Sequence, residues 1–182
     1  SSTAVEFSVK EACIVAQRYP ANSSARLLLH RAVKFEYIEI VNSAFSSITN
    51  FSNLHLDSLR TLKLSQNNLV EFVNNTFPQL ELLVLEQNCL QSISTNNSFP
   101  ALKDRLHVNG IRKAAFNNLT EWRSIGSPQL EFLVLQFNKL TEFEDQELTR
   151  LKILDLSGNP IQRLRIANLQ QLESLLLSTT QV

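Results

Sequence analysis

Asparagine carries the chemistry that spacing makes visible in this chain of 182 residues. Five Asn-x-Ser/Thr sequons, at Asn22, Asn50, Asn74, Asn96 and Asn118, offer side-chain amides that a secretory pathway can join to a glycan. With 17 asparagines and about 16% serine plus threonine, chance supplies roughly three sequons, so their number alone decides nothing. The usual catalytic residues do not assemble. His30, His55 and His107 fall at unrelated positions, and Asp57 stands near His55 without a serine or cysteine nucleophile to complete a relay. There is no Cys-x-x-Cys, no His-Glu-x-x-His and no phosphate-cradling loop, the only glycines being Gly110, Gly126 and Gly158. This argues against an enzyme and a metal centre and calls for no cofactor.

What positions the asparagines is the phrase Leu-x-x-Leu-x-Leu-x-x-Asn-x-Leu. It stands complete as Leu59, Leu62, Leu64, Asn67, Leu69 and as Leu80, Leu83, Leu85, Asn88, Leu90. It returns as Leu130, Leu133, Leu135, Asn138, Leu140 and as Leu151, Leu154, Leu156, Asn159, Ile161. The pattern resembles the leucine-rich repeat. The fold class this implies is α/β: a curved leucine-rich-repeat solenoid, with a parallel β-sheet on its concave face and an irregular or short-helical convex face. In each copy the Leu-x-Leu pair reads as a short strand with alternate side chains inward. The asparagine is expected to turn inward and bond backbone groups where the chain leaves the strand. One rung cannot bury its leucines alone, so stability must come from stacked neighbours.

Weaker copies flank these four. Phe35, Ile38, Ile40, Ser43 and Phe45 fit with serine in place of asparagine, and Leu172, Leu175, Leu177, Thr180 and Val182 fit at the other end. Ala101, Asp104, Leu106, Asn109 and Ile111 fit with two defects, a distorted rung of uncertain register. Asparagines at 67, 88, 109, 138 and 159 then give a period of mostly 21 with one longer step. That step holds Ala115-Phe116-Asn117-Asn118-Leu119, which resembles the back of longer extracellular repeats, and Trp122 and Ile125 are expected to pack beneath it. Residues 35–182 thus form a solenoid of about seven rungs. Residues 1–34 read as an N-terminal capping segment, with Val5, Phe7 and Val9 alternating and an apolar run from Ala12 to Ala16. The C-terminal end reads as uncapped, with Leu175 and Leu177 meeting solvent, so the chain is either truncated or open for end-to-end pairing.

Residues between the inward leucines face the concave side. Leu82, Val84, Phe132, Val134, Phe137 and Ile153 place apolar groups there, with Lys103 and Arg105 among them. Contiguous apolar surface of this kind marks a partner site, so the expectation is docking of a protein ligand or co-receptor through aromatic anchors. Measured from the first leucine of each repeat, Asn50, Asn74, Asn96 and Asn118 fall at the sixteenth to eighteenth residue, on the back of the coil. Glycans there would leave the concave face free. Cys13 and Cys89 are at least two rungs apart, too far for the roughly 7 Å reach of a disulfide. Cys89 is either an intermolecular bridge in a homo- or heterodimer or a half-buried free thiol.

Composition supports a binding role. The 17 basic and 17 acidic residues cancel, so bulk charge draws the chain neither to nucleic acid nor to a membrane surface. No apolar run is long enough to insert in a bilayer. The opening rung reads Ile38-x-x-x-Asn42-Ser43-x-x-x-x-Ile48. It is similar to the first rung of secreted invertebrate leucine-rich immune proteins and related Toll-type ectodomains. The resemblance implies a secreted or cell-surface recognition module, in innate immunity. A structural or adhesion segment of a larger receptor ectodomain and an intracellular repeat adaptor are the alternatives.

Overall fold

The alternation of one inward aliphatic with two outward neighbours requires extended backbone once per rung, and a near-constant period lets those segments stack side by side. The computed structural model describes residues 13–17, 35–41, 53–67, 69–70, 72–93, 96–103, 105–107, 118–123, 125–144 and 147–178. Ten strands run in chain order: β1 (Cys13–Gln17), β2 (Tyr37–Val41), β3 (Thr61–Lys63), β4 (Leu82–Val84), β5 (Arg105–His107), β6 (Phe132–Val134), β7 (Glu142–Glu144), β8 (Ile153–Asp155), β9 (Arg163–Arg165) and β10 (Ser174–Leu176). Eight of them form one parallel sheet in the order β1-β2-β3-β4-β5-β6-β8-β10, and β7 and β9 form a second parallel pair. The molecule is a parallel-strand solenoid.

The central residues of the large sheet lie in a single register: Ile14, Ile38, Leu62, Leu83, Leu106, Leu133, Leu154 and Leu175. Ile38, Leu62, Leu83, Leu133 and Leu154 are buried. A tight turn precedes each strand. The backbone amide of Leu80 donates to Phe77 O at 3.2 Å, Leu102 to Phe99 O at 3.0 Å, Leu130 to Ser127 O at 3.1 Å and Leu151 to Leu148 O at 3.1 Å. That turn drives two side chains of every rung into the core. One set is Leu59, Leu80, Leu102, Leu130 and Leu151; the other is Leu56, Phe77, Phe99, Leu148 and Leu169. Phe77 and Phe99 stack with centroids 5.4 Å apart, and Phe72 joins them 6.1 Å from Phe99. Ser127 interrupts this column, buried and with no hydrogen-bond partner for its hydroxyl among the described residues.

The asparagines turn inward as expected. Asn88 Nδ2 donates to Leu64 O at 2.8 Å, Leu85 O at 3.0 Å and Glu86 O at 3.2 Å, while its Oδ1 accepts from the Leu69 amide at 3.2 Å. Asn159 repeats this on Leu135 O, Leu156 O and the Leu140 amide, and Asn67 on Ile40 O, Leu64 O and Ser65 O. Each side chain therefore joins carbonyls of two successive rungs. The residue before it is left-handed: φ is 58° at Gln66, 56° at Gln87, 55° at Phe137 and 72° at Gly158.

Two expectations need correction. No described residue is helical, so the α/β assignment gives way to β structure on the back as well as the front. The return segments carry the β7–β9 pair and single bridges joining His55, Thr76 and Ser98. The reason is alternation: Glu121-Trp122-Arg123, Glu142-Phe143-Glu144 and Arg163-Leu164-Arg165 each point one apolar group inward between two charges. Trp122 packs as expected, 8% exposed and stacked on Phe143 at 6.1 Å, with Ile125 also buried.

The register of the distorted rung is settled by Leu102, not Ala101. Leu102 is fully buried in the first-leucine position, and one extra residue separates it from Leu106. The longer step lies between β5 and Asn118. Asn138 Oδ1 accepts from the Leu119 amide at 3.2 Å, as Asn88 accepts from Leu69, so Leu119 occupies the place of Leu69, Leu90 and Leu140. Asn109, Ile111, Ala115, Phe116 and Asn117 lie outside the described residues. Finally, β1 extends the large sheet into residues 1–34, pairing Ile14 with Ile38. It covers the edge of β2 by continuing the solenoid. Val5, Phe7 and Val9 lie outside the described residues.

Candidate functional site

Two register columns alternate with the central column of the large sheet. The first is Tyr37, Thr61, Leu82, Arg105, Phe132, Ile153 and Ser174; the second is Glu39, Lys63, Val84, His107, Val134, Asp155 and Leu176. Each strand of this sheet touches only its neighbours within the sheet. Leu82, Val84, Phe132, Val134 and Ile153 are half-buried on this face, on β4, β6 and β8, and Leu176 is 42% exposed at its end. Arg105 and His107 of β5 hold the register positions between Leu82 and Phe132 and between Val84 and Val134.

Polar groups close the face at both sides of this patch. Tyr37 OH donates to Glu39, Lys63 Nζ donates to Tyr37 OH at 2.9 Å and to Glu39 Oε2 at 3.2 Å, and the ammonium lies 5.3 Å from the tyrosine ring centroid. The hydrogen bond from Tyr37, with Lys63 adding its own bond and charge, holds the Glu39 carboxyl below its ordinary range. The bond to Tyr37, followed by those effects of Glu39, raises Lys63. On β8, Asp155 is buried, accepts from Gln136 Nε2 and takes the Ser157 amide at 3.0 Å.

A third column borders the face one step before the strands: Glu36, Arg60, Glu81, Lys103, Glu131, Lys152 and Glu173. Backbone hydrogen bonds of 2.8–2.9 Å stack it, from Arg60 to Glu36 O, Glu81 to Arg60 O, Glu131 to Lys103 O, Lys152 to Glu131 O and Glu173 to Lys152 O. Its charges alternate in sign at every rung. Arg60 pairs with Glu81 at 2.5 Å and Lys152 with Glu131 at 2.7 Å. The bond from Lys152, helped by the charges of Lys152, Lys103 and Arg150, lowers Glu131, and the same bond raises Lys152. Reading the residues rung by rung hides this alternation; reading every twenty-first to twenty-eighth position down the chain reveals it.

Phe137 does not lie on a strand. It occupies the left-handed turn after β6, and a Cβ at Gly158 would come within 2.8 Å of its Cε1 and nearer still to its Cδ1. The ring thus lies flat on the glycine of the next rung. Gly158 is fixed twice over, by its positive φ and by this ring. Gly158→Ala is expected to destabilise the chain by about 2 kcal/mol, and a Phe137→Ala background to recover part of it. Urea unfolding of the two single variants and the double variant checks this; additive losses would remove the contact from the argument.

The sequons divide. Asn22 and Asn50 lie outside the described residues. Asn74 and Asn96 are exposed, and each precedes a buried asparagine and a bridge residue, Asn75-Thr76 and Asn97-Ser98. Asn97 Nδ2 donates to Phe72 O at 2.8 Å and its Oδ1 accepts from the Asn75 amide at 2.9 Å, while Asn75 Oδ1 accepts from the Leu54 amide at 3.2 Å. The fold itself therefore requires much of the Asn-Asn-Thr/Ser triplet. Asn118 is placed differently. Its amide donates to Leu90 O at 2.7 Å, as Cys89 donates to Leu69 O, so it sits where the chain leaves the strand rather than on the return. Its side chain is half-buried.

Cys89 is a half-buried free thiol. Cys13 on β1 is three strands from β4, about 14 Å at a strand spacing of about 4.8 Å, beyond disulfide reach. His55 Nε2 meets Asp57 Oδ1 at 2.7 Å in solvent, and the described residues include no metal-binding group of three or more His, Cys, Asp or Glu. Among them no helix is long and apolar enough to cross a membrane. Comparison with protein-family models and with curated proteins finds no match for this chain.

Proposed function

We propose that this chain is a non-catalytic recognition module, a leucine-rich-repeat solenoid that takes a protein ligand or co-receptor on the open face of its large sheet. The observation that carries this reading is the group of five apolar side chains, Leu82, Val84, Phe132, Val134 and Ile153, on a face that none of the described strands covers. Apolar surface gathered on adjacent strands is stabilised by a partner, and aromatic anchors such as Phe132 supply most of the binding energy at such faces. An extracellular setting, in innate immune recognition, follows from the resemblance of residues 35–48 and from two exposed sequon asparagines, Asn74 and Asn96. A second reading, an intracellular adaptor of the same fold, is favoured by the structural use of Asn75 and Asn97, which accounts for much of two sequons without glycans.

The test is a binding screen of the purified chain against a panel of purified extracellular domains, with Leu82→Ser/Phe132→Ser as the face variant. Glu142→Ala/Arg163→Ala, which opens an exposed ion pair on the second sheet, is the control. The expected result is an interaction weakened at least about a hundredfold by the face variant and unchanged by the control. An interaction indifferent to the face variant would overturn the reading.

A further inference from the structure

Two exposed sequon asparagines stand side by side on the back of the solenoid. Parallel bridges join Thr76 to His55 on one side and to Ser98 on the other. The Ser98 amide donates to Asn75 O at 2.8 Å and the Phe77 amide to Ser98 O at 3.1 Å. The two return segments therefore lie one strand interval apart, about 4.8 Å. Asn74 and Asn96 each come two residues before a bridge residue, so their exposed side chains are rooted at neighbouring places. The buried residue after each is tied across rungs, which keeps the roots together. Asn97 Nδ2 donates to Phe72 O at 2.8 Å, its Oδ1 accepts from the Asn75 amide at 2.9 Å, and Asn75 Oδ1 accepts from the Leu54 amide at 3.2 Å. Asn74 Nδ2 donates to Asn53 Oδ1 at 3.1 Å, which engages one of its two hydrogens and leaves the other for replacement.

We infer, resting on the extracellular reading above, that Asn74 and Asn96 are alternative attachment points for one N-linked glycan: a folded chain carries it on one or the other and not on both. The donor is an oligosaccharide joined to a lipid pyrophosphate, supplied with its transferase by the secretory pathway. The asparagine Nδ2 forms a bond to the anomeric carbon of that sugar. The bond from this carbon to the pyrophosphate oxygen breaks, its electron pair stays on the departing pyrophosphate, and one amide proton leaves to a base of the transferase. Asn74-Asn75-Thr76 and Asn96-Asn97-Ser98 both meet the sequence requirement. The exclusion is steric. The first sugar with its ring substituents is broader than one strand interval, and the branches beyond it are broader still. Two such groups rooted a single interval apart overlap unless the rungs separate, and separating them breaks the buried bonds of Asn75 and Asn97.

The test expresses the whole chain through a eukaryotic secretory route and maps the protein recovered from medium and from cells by mass spectrometry. No lysine or arginine lies between Lys63 and Lys103, so one tryptic peptide holds both sites. Enzymatic glycan removal in heavy-oxygen water marks each formerly occupied asparagine as a labelled aspartate. In the secreted protein the doubly marked peptide is expected at least about tenfold below the product of the two single-site occupancies, which is the value for independent sites. Asn74→Gln is expected to raise occupancy at Asn96, and Asn96→Gln to raise it at Asn74. Double marking at the product, or variants that leave the other site's occupancy unchanged, overturns the exclusion and leaves the extracellular reading standing. A secreted chain unmarked at both sites overturns the inference alone. A chain retained in the cell and unmarked at both sites overturns the inference and the extracellular reading together.

Discussion

Replacing Asn88 with alanine is expected to lower the stability of the chain by about 3–5 kcal/mol. The side chain donates to the carbonyls of Leu64, Leu85 and Glu86 and accepts from the Leu69 amide, so its loss strips buried backbone groups in two rungs at once. Leu64 O keeps Asn67 Nδ2 at 2.8 Å and Glu86 O keeps the Gln66 amide at 2.9 Å, so the effect is the sum of four lost hydrogen bonds at about 1 kcal/mol each rather than of orphaned carbonyls. For a chain of this length a loss of that size moves the thermal midpoint by roughly 10 °C. Asn88 is fully buried between stacked rungs, so water does not readily replace its amide there. Thermal unfolding followed by far-UV circular dichroism checks the effect. A shift under about 2 °C would show that the inter-rung carbonyls find other donors.

The second large effect is expected from Phe99→Ala. Phe99 is fully buried, stacked on Phe77 at 5.4 Å and beside Phe72 at 6.1 Å, so three aromatic rings from two successive return segments share one core. Removing the middle ring deletes its apolar contacts and leaves a void that short, hydrogen-bonded turns cannot close. A loss of about 3–5 kcal/mol follows. Because Phe77 would then lose its stacking partner, Phe77→Ala and Phe99→Ala together should cost less than the sum of the two. Urea unfolding of both singles and the double measures this, and strict additivity would contradict the shared column.

These two residues illustrate what was legible in the sequence. Asn67, Asn88, Asn138 and Asn159 stand at fixed distances from their leucines because one side chain must reach carbonyls of two rungs, and that geometric demand writes itself into the spacing. Trp122 was legible as core for the same reason, since its 21-residue offset from Phe143 keeps both on one line of the return. The rung around Leu102 was not. One extra residue before β5 breaks the leucine spacing, so the period alone does not fix the register of this rung. Only the bond from Leu119 to Asn138 shows where the rung resumes.

The back of the coil was misread because its strands are three residues long. Glu142-Phe143-Glu144 and Arg163-Leu164-Arg165 do alternate, but a run of three residues carries a weak period-2 signal, and its partner lies 21 residues away. Pairing explains why these segments are extended: Arg163 meets Glu142 at 3.0 Å and Arg165 meets Glu144 at 3.1 Å across the pair. Exposed as they are, these ion pairs contribute to register more than to stability. The same holds for the alternating column from Glu36 to Glu173. A slip of one rung along it would set like charges side by side, which disfavours misaligned stacking at small cost to the aligned state.

On the candidate face, the apolar residues on the strands lie together as the Leu-x-Leu alternation implies, whereas Phe137 does not join them. The difference is one of backbone hand. Five residues beyond Phe132 the chain has already entered the left-handed turn, and the ring is spent on Gly158. The described chemistry of the face is thus an apolar group on β4, β6 and β8 bounded by polar groups that satisfy one another.

The central claim, that a protein partner seats on the open sheet face, is tested most directly by site-resolved photocrosslinking. A benzophenone side chain is placed at position Phe132 in one preparation and at position Glu142 in another, and each is irradiated with an extracellular domain retained in the binding screen. Crosslinking from 132 and not from 142 is the predicted result. Crosslinking from 142 alone, or no retained domain to irradiate, would contradict the claim.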